Sequence, residues 1–550
     1  MSCSKIFSED LPELIYGILK YFQNDYSTLH SCILVNRLWC RSAIPLLWEN
    51  PFSIPIKNYN FIIIYSHNSN SDFKTKLIEY KIINNNSLPP NTLFNYPSFL
   101  KYLRINNKFI YSVRNWVGNA IRTSNPGNLS LLSDFERKVD IFVSLFKIFI
   151  ENEIKLHTFE IEFSRIACVY TYLNNILELI LQNTNFIHNI RNINLFVGSN
   201  SSGIIPNANK KYKLIKNNLS QIINLQQNLK KILIYNGSFP LYRPLLLSKD
   251  SNCSNTLNTI TFYKINLDCL SKNIFEQLNV LESIHFLYCY SLGNNFIQQI
   301  NNLAKPFKLK SLFIEGELQQ FETMELLQKS GKYLENFGIV LDIYGLICSL
   351  YEQILVLITK YCKNIKFFDF RGPVSLSTYQ ILNLVENIQQ NLNYLTIDVW
   401  YDNTGSNSST ILLHLGYYLP SKLEYLCFDL HYIKASWFEE FLRQSQHTFI
   451  KKLLINSSEG QDILPFIKEY IMKKKRVKYL AISDSSREDT FDRYSHNVKE
   501  ICSMKYNEVN NVKELFSLKY EVDEFRLYNI EVQSYLSLKI NSYNYIKEIN

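Results

Sequence analysis

A six-residue pattern, Φ-x-x-Φ-x-Φ with Φ aliphatic or Phe, recurs along the 550-residue chain and constrains its fold more than any other feature. It occurs first, widely spaced, as LKYLRI from Leu100, LHTFEI from Leu156 and IRNINL from Ile190. It then becomes regular: LKKILI from Leu229, LNTITF from Leu257, LESIHF from Leu281, LKSLFI from Leu309 and LENFGI from Leu334. IKFFDF from Ile365, LNYLTI from Leu392, LEYLCF from Leu423, IKKLLI from Ile450 and VKYLAI from Val477 continue the series. The nine intervals from Leu229 to Val477 are 28, 24, 28, 25, 31, 27, 31, 27 and 27 residues, a mean of about 27.6. Near-constant spacing of this size marks a stacked repeat.

Within each pattern the last two Φ alternate along a short strand and point to one side. The runs between patterns return the chain. ILVLITKYC before Ile365 and YQILNLVENIQQN before Leu392 carry apolar residues at i, i+3, i+4 and i+7, which predicts helices. One strand–helix unit cannot bury both its faces, so neighbouring units must share a continuous core. The expected fold class is therefore α/β, a curved solenoid with a parallel concave sheet and outer helices. Separate helices and strands of an α+β domain are the alternative. A large core is affordable, since 46% of residues are hydrophobic and 19% charged. Only 15 glycines argue against any fold built on many glycine turns.

The first fifty residues read differently. In LPELIYGILKYF (11–22), Leu14, Ile15, Ile18, Leu19 and Phe22 fall on one helical face, with Pro12 in the first turn. A second helix is expected from about Ser27 as N-cap, through Leu29, Cys32, Ile33 and Val35. A third apolar segment carries Trp39, Ile44, Leu46, Leu47 and Trp48. Three short helices cannot bury this much apolar surface among themselves, so a partner or neighbouring domain should cover the rest.

Leu11, Pro12 and Glu13, then Ile15, Ile18, Leu19 and Phe22, then Leu29, Val35, Arg37 and Trp39, and finally Leu47 and Trp48 resemble the ordered pattern of an F-box. Asn36 departs from it, where a small residue or Cys is common. The repeat pattern in turn resembles irregular, cysteine-type leucine-rich repeats, although only Cys289 fills the Asn/Cys position that follows the pattern. These resemblances divide the chain into an F-box (8–50), a connecting segment (51–97), a leucine-rich-repeat solenoid (98–486) and a C-terminal cap (487–550). The connecting segment contains the loop-like stretches HNSNSD and INNNSLPPN. Insertions are expected around Ser124–Asn128 and at 198–211.

Together the resemblances imply the substrate-recognition subunit of a Skp–cullin–F-box ubiquitin ligase. Its F-box would bind a Skp-type adaptor and, through it, a cullin scaffold. The repeats would hold a target protein whose identity the sequence does not reveal. The residues implied for adaptor contact or its immediate support are Leu11, Pro12, Leu14, Ile15, Ile18, Val35, Trp39 and Leu47. The alternative is a scaffold of the same architecture that binds a protein or nucleic acid without directing ubiquitination.

The register adds candidates for the target site. The x between the last two Φ and the x after them should face the concave side. This nominates Tyr235, Tyr263 and Phe313, then Asp369, Asp398 and Asp429 as an acidic stripe suited to a segment with Lys or Arg beside an apolar anchor. The rival reading is that these aspartates only cap the turns after their strands.

Signals of other chemistry are weak. GSNSSG at 198–203 lacks the Gly-Lys-Ser/Thr ending of a phosphate loop. His285 with Cys289, and Cys427 with His431, are pairs and not a zinc set. KKKR at 473–476 reads as a solvated helix end. No catalytic residue, cofactor or metal is expected. A net charge of +9 over 550 residues is too diffuse to favour a nucleic-acid partner. Eleven cysteines without a C-x-x-C suit a reducing compartment. Glu9 and Asp10 interrupt any leader-like apolar run, and the run Ile141–Ile150 is short and carries Lys147. The expectation is a soluble protein of the cytoplasm, the nucleus or both, with no membrane partner.

Overall fold

A computed structural model describes residues 12–23, 25–53, 60–66, 72–80, 82–83, 92–124, 131–163, 167–197, 206–247, 253–267, 270, 274–275, 278, 280–289, 308–315, 320–340, 348–373, 378–400, 406–484 and 513–549. The chain divides into two compact units, Met1–Thr259 with Gln277–Val280, and Ile260–Glu276 with Leu281–Asn550.

The first unit begins with helices α1 (Pro12–Lys20), α2 (Tyr26–Ile33) and α3 (Arg37–Trp48). The second helix starts before Ser27 because Asp25 is its cap, accepting from the Thr28 N–H at 3.0 Å. Asn36 caps α3 in the same way through Trp39 N–H at 2.9 Å. Each satisfies a donor that no earlier turn can reach. Ile15, Leu19, Leu29, Cys32, Ala43 and Leu46 form a small buried core among the three helices. Trp48 then packs on Tyr65 and Tyr96, with ring centroids 5.4 and 4.5 Å away. The next residue, Glu49, ties the helices to the first strand. Its carbonyl accepts from the N–H groups of Lys101 and Tyr102 at 3.0 Å, and its carboxylate pairs with the Lys101 ammonium.

Strands β1 (Tyr102–Ile105), β2 (Thr158–Phe163), β3 (Asn192–Val197) and β4 (Lys231–Tyr235) follow as parallel neighbours in chain order. The wide spacing between Leu100 and Leu156 has a simple cause: two helices, Asn107–Ser124 and Leu131–Glu151, fill the return instead of one. The insertion expected around Ser124–Asn128 falls outside the described residues apart from Ser124, as do HNSNSD apart from Asp72, INNNSLPPN apart from its first residue, Ile83, and the GSNSSG loop.

In the second unit, β5 (Thr259–Tyr263) neighbours β6 (Ser283–Leu287). From β6 onward the sheet is parallel and in sequence order: β7 (Lys308–Glu315), β8 (Asn336–Val340), β9 (Phe367–Pro373), β10 (Tyr394–Trp400), β11 (Lys422–Ile433), β12 (Phe449–Gly460) and β13 (Val477–Asp484). Each of the thirteen Φ-x-x-Φ-x-Φ runs thus leads into or contains one strand. The register sets Phe337, Phe368, Leu395, Leu426, Leu453 and Leu480 side by side, all fully buried. Leu312 joins this row from β7. Helices cover this side. Phe441 of the helix Ala435–Gln444 meets Phe428 of β11 edge-on at 5.1 Å, and Thr378–Ile388 buries Ile381, Leu384, Val385 and Ile388. In the 24-residue unit from Leu257 the described residues return through turns that bury Leu267, Leu270, Ile274 and Phe275.

The expected C-terminal cap is described over 513–549. Two short strands, β14 (Lys513–Glu514) antiparallel and β15 (Glu531–Val532) parallel, both pair with β13 and cover its edge. No helix among the described residues is long and apolar enough to cross a membrane.

Candidate functional site

The N-terminal helices bury one apolar seam and leave another open. On α1, Ile15 and Leu19 point into the small core while Leu14 and Ile18 remain 51% and 39% exposed. Pro12 is also exposed. At the turn between α2 and α3, Leu34 and Val35 are 78% and 58% exposed. Trp39 and Leu47 are half-buried against the core. The implied contact residues therefore separate by position: Pro12, Leu14, Ile18 and Val35 present surface, and Ile15, Trp39 and Leu47 support it. Leu11 lies outside the described residues.

The second candidate surface is the side of the sheet away from the helices. One row there runs His285, Ser311, Asn336, Phe367, Tyr394 and Tyr425. The next holds Leu287, Phe313, Gly338, Asp369, Thr396 and Cys427, and a third runs Glu315, Val340, Arg371, Asp398 and Asp429. The acidic stripe expected from sequence is therefore broken. Asp369 belongs to one row, and Asp398 and Asp429 to the next, where Arg371 lies beside them. Arg371 chelates Asp369 through Nε and Nη2 at 2.9 and 2.8 Å, an internal bidentate pair. Asp429 accepts from Asn456 Nδ2 at 2.8 Å. Tyr235 belongs to the first unit, where its ring packs 5.7 Å from Phe196.

Most of the nominated residues on this side are covered. Tyr263, Phe313, Asp369 and Asp398 are buried, and the chain's own C-terminal segment lies on the face. After β15 it forms two short helices, Tyr535–Leu538 and Ser542–Ile549. Tyr535 and Leu538 bury themselves on Tyr425, Cys427, Leu454 and Ala481. Lys539 reaches Asp429 at 3.8 Å, and the Ile540 N–H donates to Tyr425 Oη at 3.2 Å. Ser542 and Tyr288 hydrogen-bond through their hydroxyls. Tyr543 stacks on Tyr263 at 4.7 Å, and Tyr545 lies 4.5 and 4.6 Å from Phe367 and Tyr394. No sequence periodicity pointed to these four residues, although Tyr, Lys, Tyr and Tyr at 535, 539, 543 and 545 match the aromatic and basic character the face itself calls for.

Gly338, a concave-side position by the register, matters for its lack of a side chain. A Cβ there would sit 2.3 Å from Phe313 Cδ1, so the Phe313 ring lies directly over this glycine. That position lets Phe313 reach across β8 to Phe367, with centroids 5.7 Å apart. Gly338→Ala should displace the ring and cost about 1–3 kcal/mol of stability. A urea midpoint unchanged from wild type would show that the aromatic row does not depend on this close approach.

Several polar groups of the face bond to one another. His285 Nδ1 lies 2.8 Å from Ser311 Oγ, which accepts from Asn336 Nδ2 at 2.9 Å. A hydroxyl beside an imidazole is a nucleophile's pairing, but both side chains are fully buried. Cys289 Sγ, just after β6, donates to the Phe262 carbonyl of β5 at 3.4 Å. Burial pushes the Cys427 thiol up to about 11, so it stays neutral beneath Tyr535. Among the described residues no group of three His, Cys, Asp or Glu is placed to hold a metal ion. Comparison with known proteins leaves the assignment to this geometry: no family model and no curated protein matches the chain.

Proposed function

We propose that the chain is a non-catalytic receptor subunit of the Skp–cullin–F-box type. In this reading the N-terminal helices are an F-box that docks on a Skp-type adaptor, and the repeats are leucine-rich units that hold a target. The observation that carries it is the open apolar seam of Leu14, Ile18, Leu34 and Val35 on a small helical unit joined to a repeat sheet. A monomer gains nothing from leaving such residues in water, and a partner surface accounts for them. The receptor's contribution to transfer is proximity: holding the target beside a charged carrier raises the local concentration of its lysines.

The test uses side chains that the fold does not need. Leu14→Asp with Val35→Asp, both at exposed positions, should leave the far-UV circular dichroism unchanged. Capture of a recombinant Skp-type adaptor should fall at least about 100-fold, because charges in a desolvated apolar contact find no partner. Adaptor recovery equal to wild type would remove the F-box reading.

A further inference from the structure

The residues 533–546 lie on the sheet like a ligand. Their two helices have four and eight residues, too short to persist alone in water, so the face is what orders them. Behind the segment, attachment to the sheet is a two-residue pairing of β15 with β13 and the Gln533 N–H bond to the Leu480 carbonyl at 2.9 Å. Ahead of that, contact is made almost wholly by side chains: Tyr535 and Leu538 in one cluster, Lys539 at Asp429, Tyr543 and Tyr545 on aromatic rings. Such contacts exchange with an equivalent set from another chain, whereas an interior strand pairing does not. Beneath the segment the face is a row of rings, with the carboxylate of Asp429 at one side. Lifting the segment would expose an apolar patch of the kind that monomers rarely leave open.

We infer that residues 533–546 are an intramolecular occupant of the target-binding face, and that the external partner is a protein segment of the same chemistry, with a lysine flanked on both sides by tyrosine or other aromatic residues. The inference rests on reading this face as the target site, and is independent of the adaptor. Aromatic anchors supply the affinity, and the partly buried Lys539–Asp429 pair, at 3.8 Å, supplies orientation. Because the segment is tethered beside its site, it competes at an effective concentration in the millimolar range. A partner must outbid that, or bind after the segment has been released.

The test compares the full-length protein with a full-length Lys539→Glu/Tyr543→Ser/Tyr545→Ser variant, using a fluorescein-labelled peptide of residues 533–550 as the probe. Hydrogen exchange monitors the fold at the same time. The expected result is fast exchange at 533–546 in the variant, unchanged protection of β10 to β12, and peptide binding at least 100-fold tighter than to wild type. A released segment with no gain in peptide binding would overturn the inference. Loss of protection in β10 to β12 would also overturn it, by making the segment part of the permanent core. Continued protection of 533–546 in the variant would overturn it as well, because the segment would then be held by contacts other than the displaceable ones assigned to it. None of these outcomes depends on the adaptor, so failure here and failure of the Leu14/Val35 experiment are separable.

Discussion

Leu395→Asp should unfold the repeats around β10. The side chain is fully buried in the row that runs from Phe337 to Leu480, with Phe368 and Leu426 as its direct neighbours across the strands. Replacing it removes the packing of a buried leucine, worth about 3 kcal/mol. It also places a buried carboxyl group between Phe368 and Leu426, adding roughly 1–3 kcal/mol even if the group takes up a proton to shed its charge. A total of roughly 4–6 kcal/mol is comparable with the whole stability of an ordinary domain. Because stacked units contact mainly their neighbours, the loss should spread from β10 to β9 and β11 before it reaches more distant strands. Hydrogen exchange reads this directly: amides of β9 to β11 should lose protection, while β1 to β3 in the other unit keep theirs. A variant with wild-type protection in β10 would mean that the register assigned to this row is wrong.

The repeat was legible because strand alternation and a near-constant interval are both local signals. Each Φ-x-x-Φ-x-Φ run carries its own register, and its inward residues stay inward when the units stack. The N-terminal surface was legible only as a broad apolar face. Leu14, Ile15, Ile18, Leu19 and Phe22 all satisfy helical spacing, yet α1 buries Ile15 and Leu19 and exposes Leu14 and Ile18. A single helix pattern does not say which edge of a wide face meets its neighbours. The acidic stripe failed for a different reason. Asp369 sits two residues earlier in its repeat than Asp398 and Asp429 do in theirs, which moves it by one row and brings Arg371 in between. The docking of the C-terminal segment was not legible at all. Tyr535 meets Cys427 across 108 residues, and no local pattern encodes a contact of that range.

The same contrast between local and long-range signals gives the second large effect. The run KKKR at 473–476 reads as four solvated cations, but only Lys473, Lys474 and Lys475 are exposed, and Arg476 is 6% exposed. Its guanidinium turns inward to the end of the helix Ala435–Gln444. Nε donates to the Thr448 carbonyl and Nη1 to the Leu442 carbonyl, each at 3.2 Å, and Nη2 donates to the Ser445 carbonyl. Leu442 lies in the last turn of that helix, whose carbonyls lack intrahelical donors and carry the negative end of its dipole. Ser445 and Thr448 lie in the turn that follows, where the Ser445 carbonyl also accepts the Thr448 N–H at 2.9 Å. Burial pulls the guanidinium down to about 10, which leaves it charged at neutral pH. Arg476→Met keeps the aliphatic stem but removes the guanidinium from three buried carbonyls. That of Ser445 keeps the Thr448 N–H, and losing the bond to the other two costs about 1–3 kcal/mol each, partly offset because no charge is then desolvated. The net loss should be about 2–4 kcal/mol in urea unfolding at pH 7. Arg476→Lys should recover only part of it, because an ammonium cannot reproduce the fork that spans three carbonyls. Lys473→Ala, Lys474→Ala and Lys475→Ala should each stay within about 0.5 kcal/mol of wild type. Four substitutions with similar small effects would return this arginine to the solvated run that its sequence context suggests.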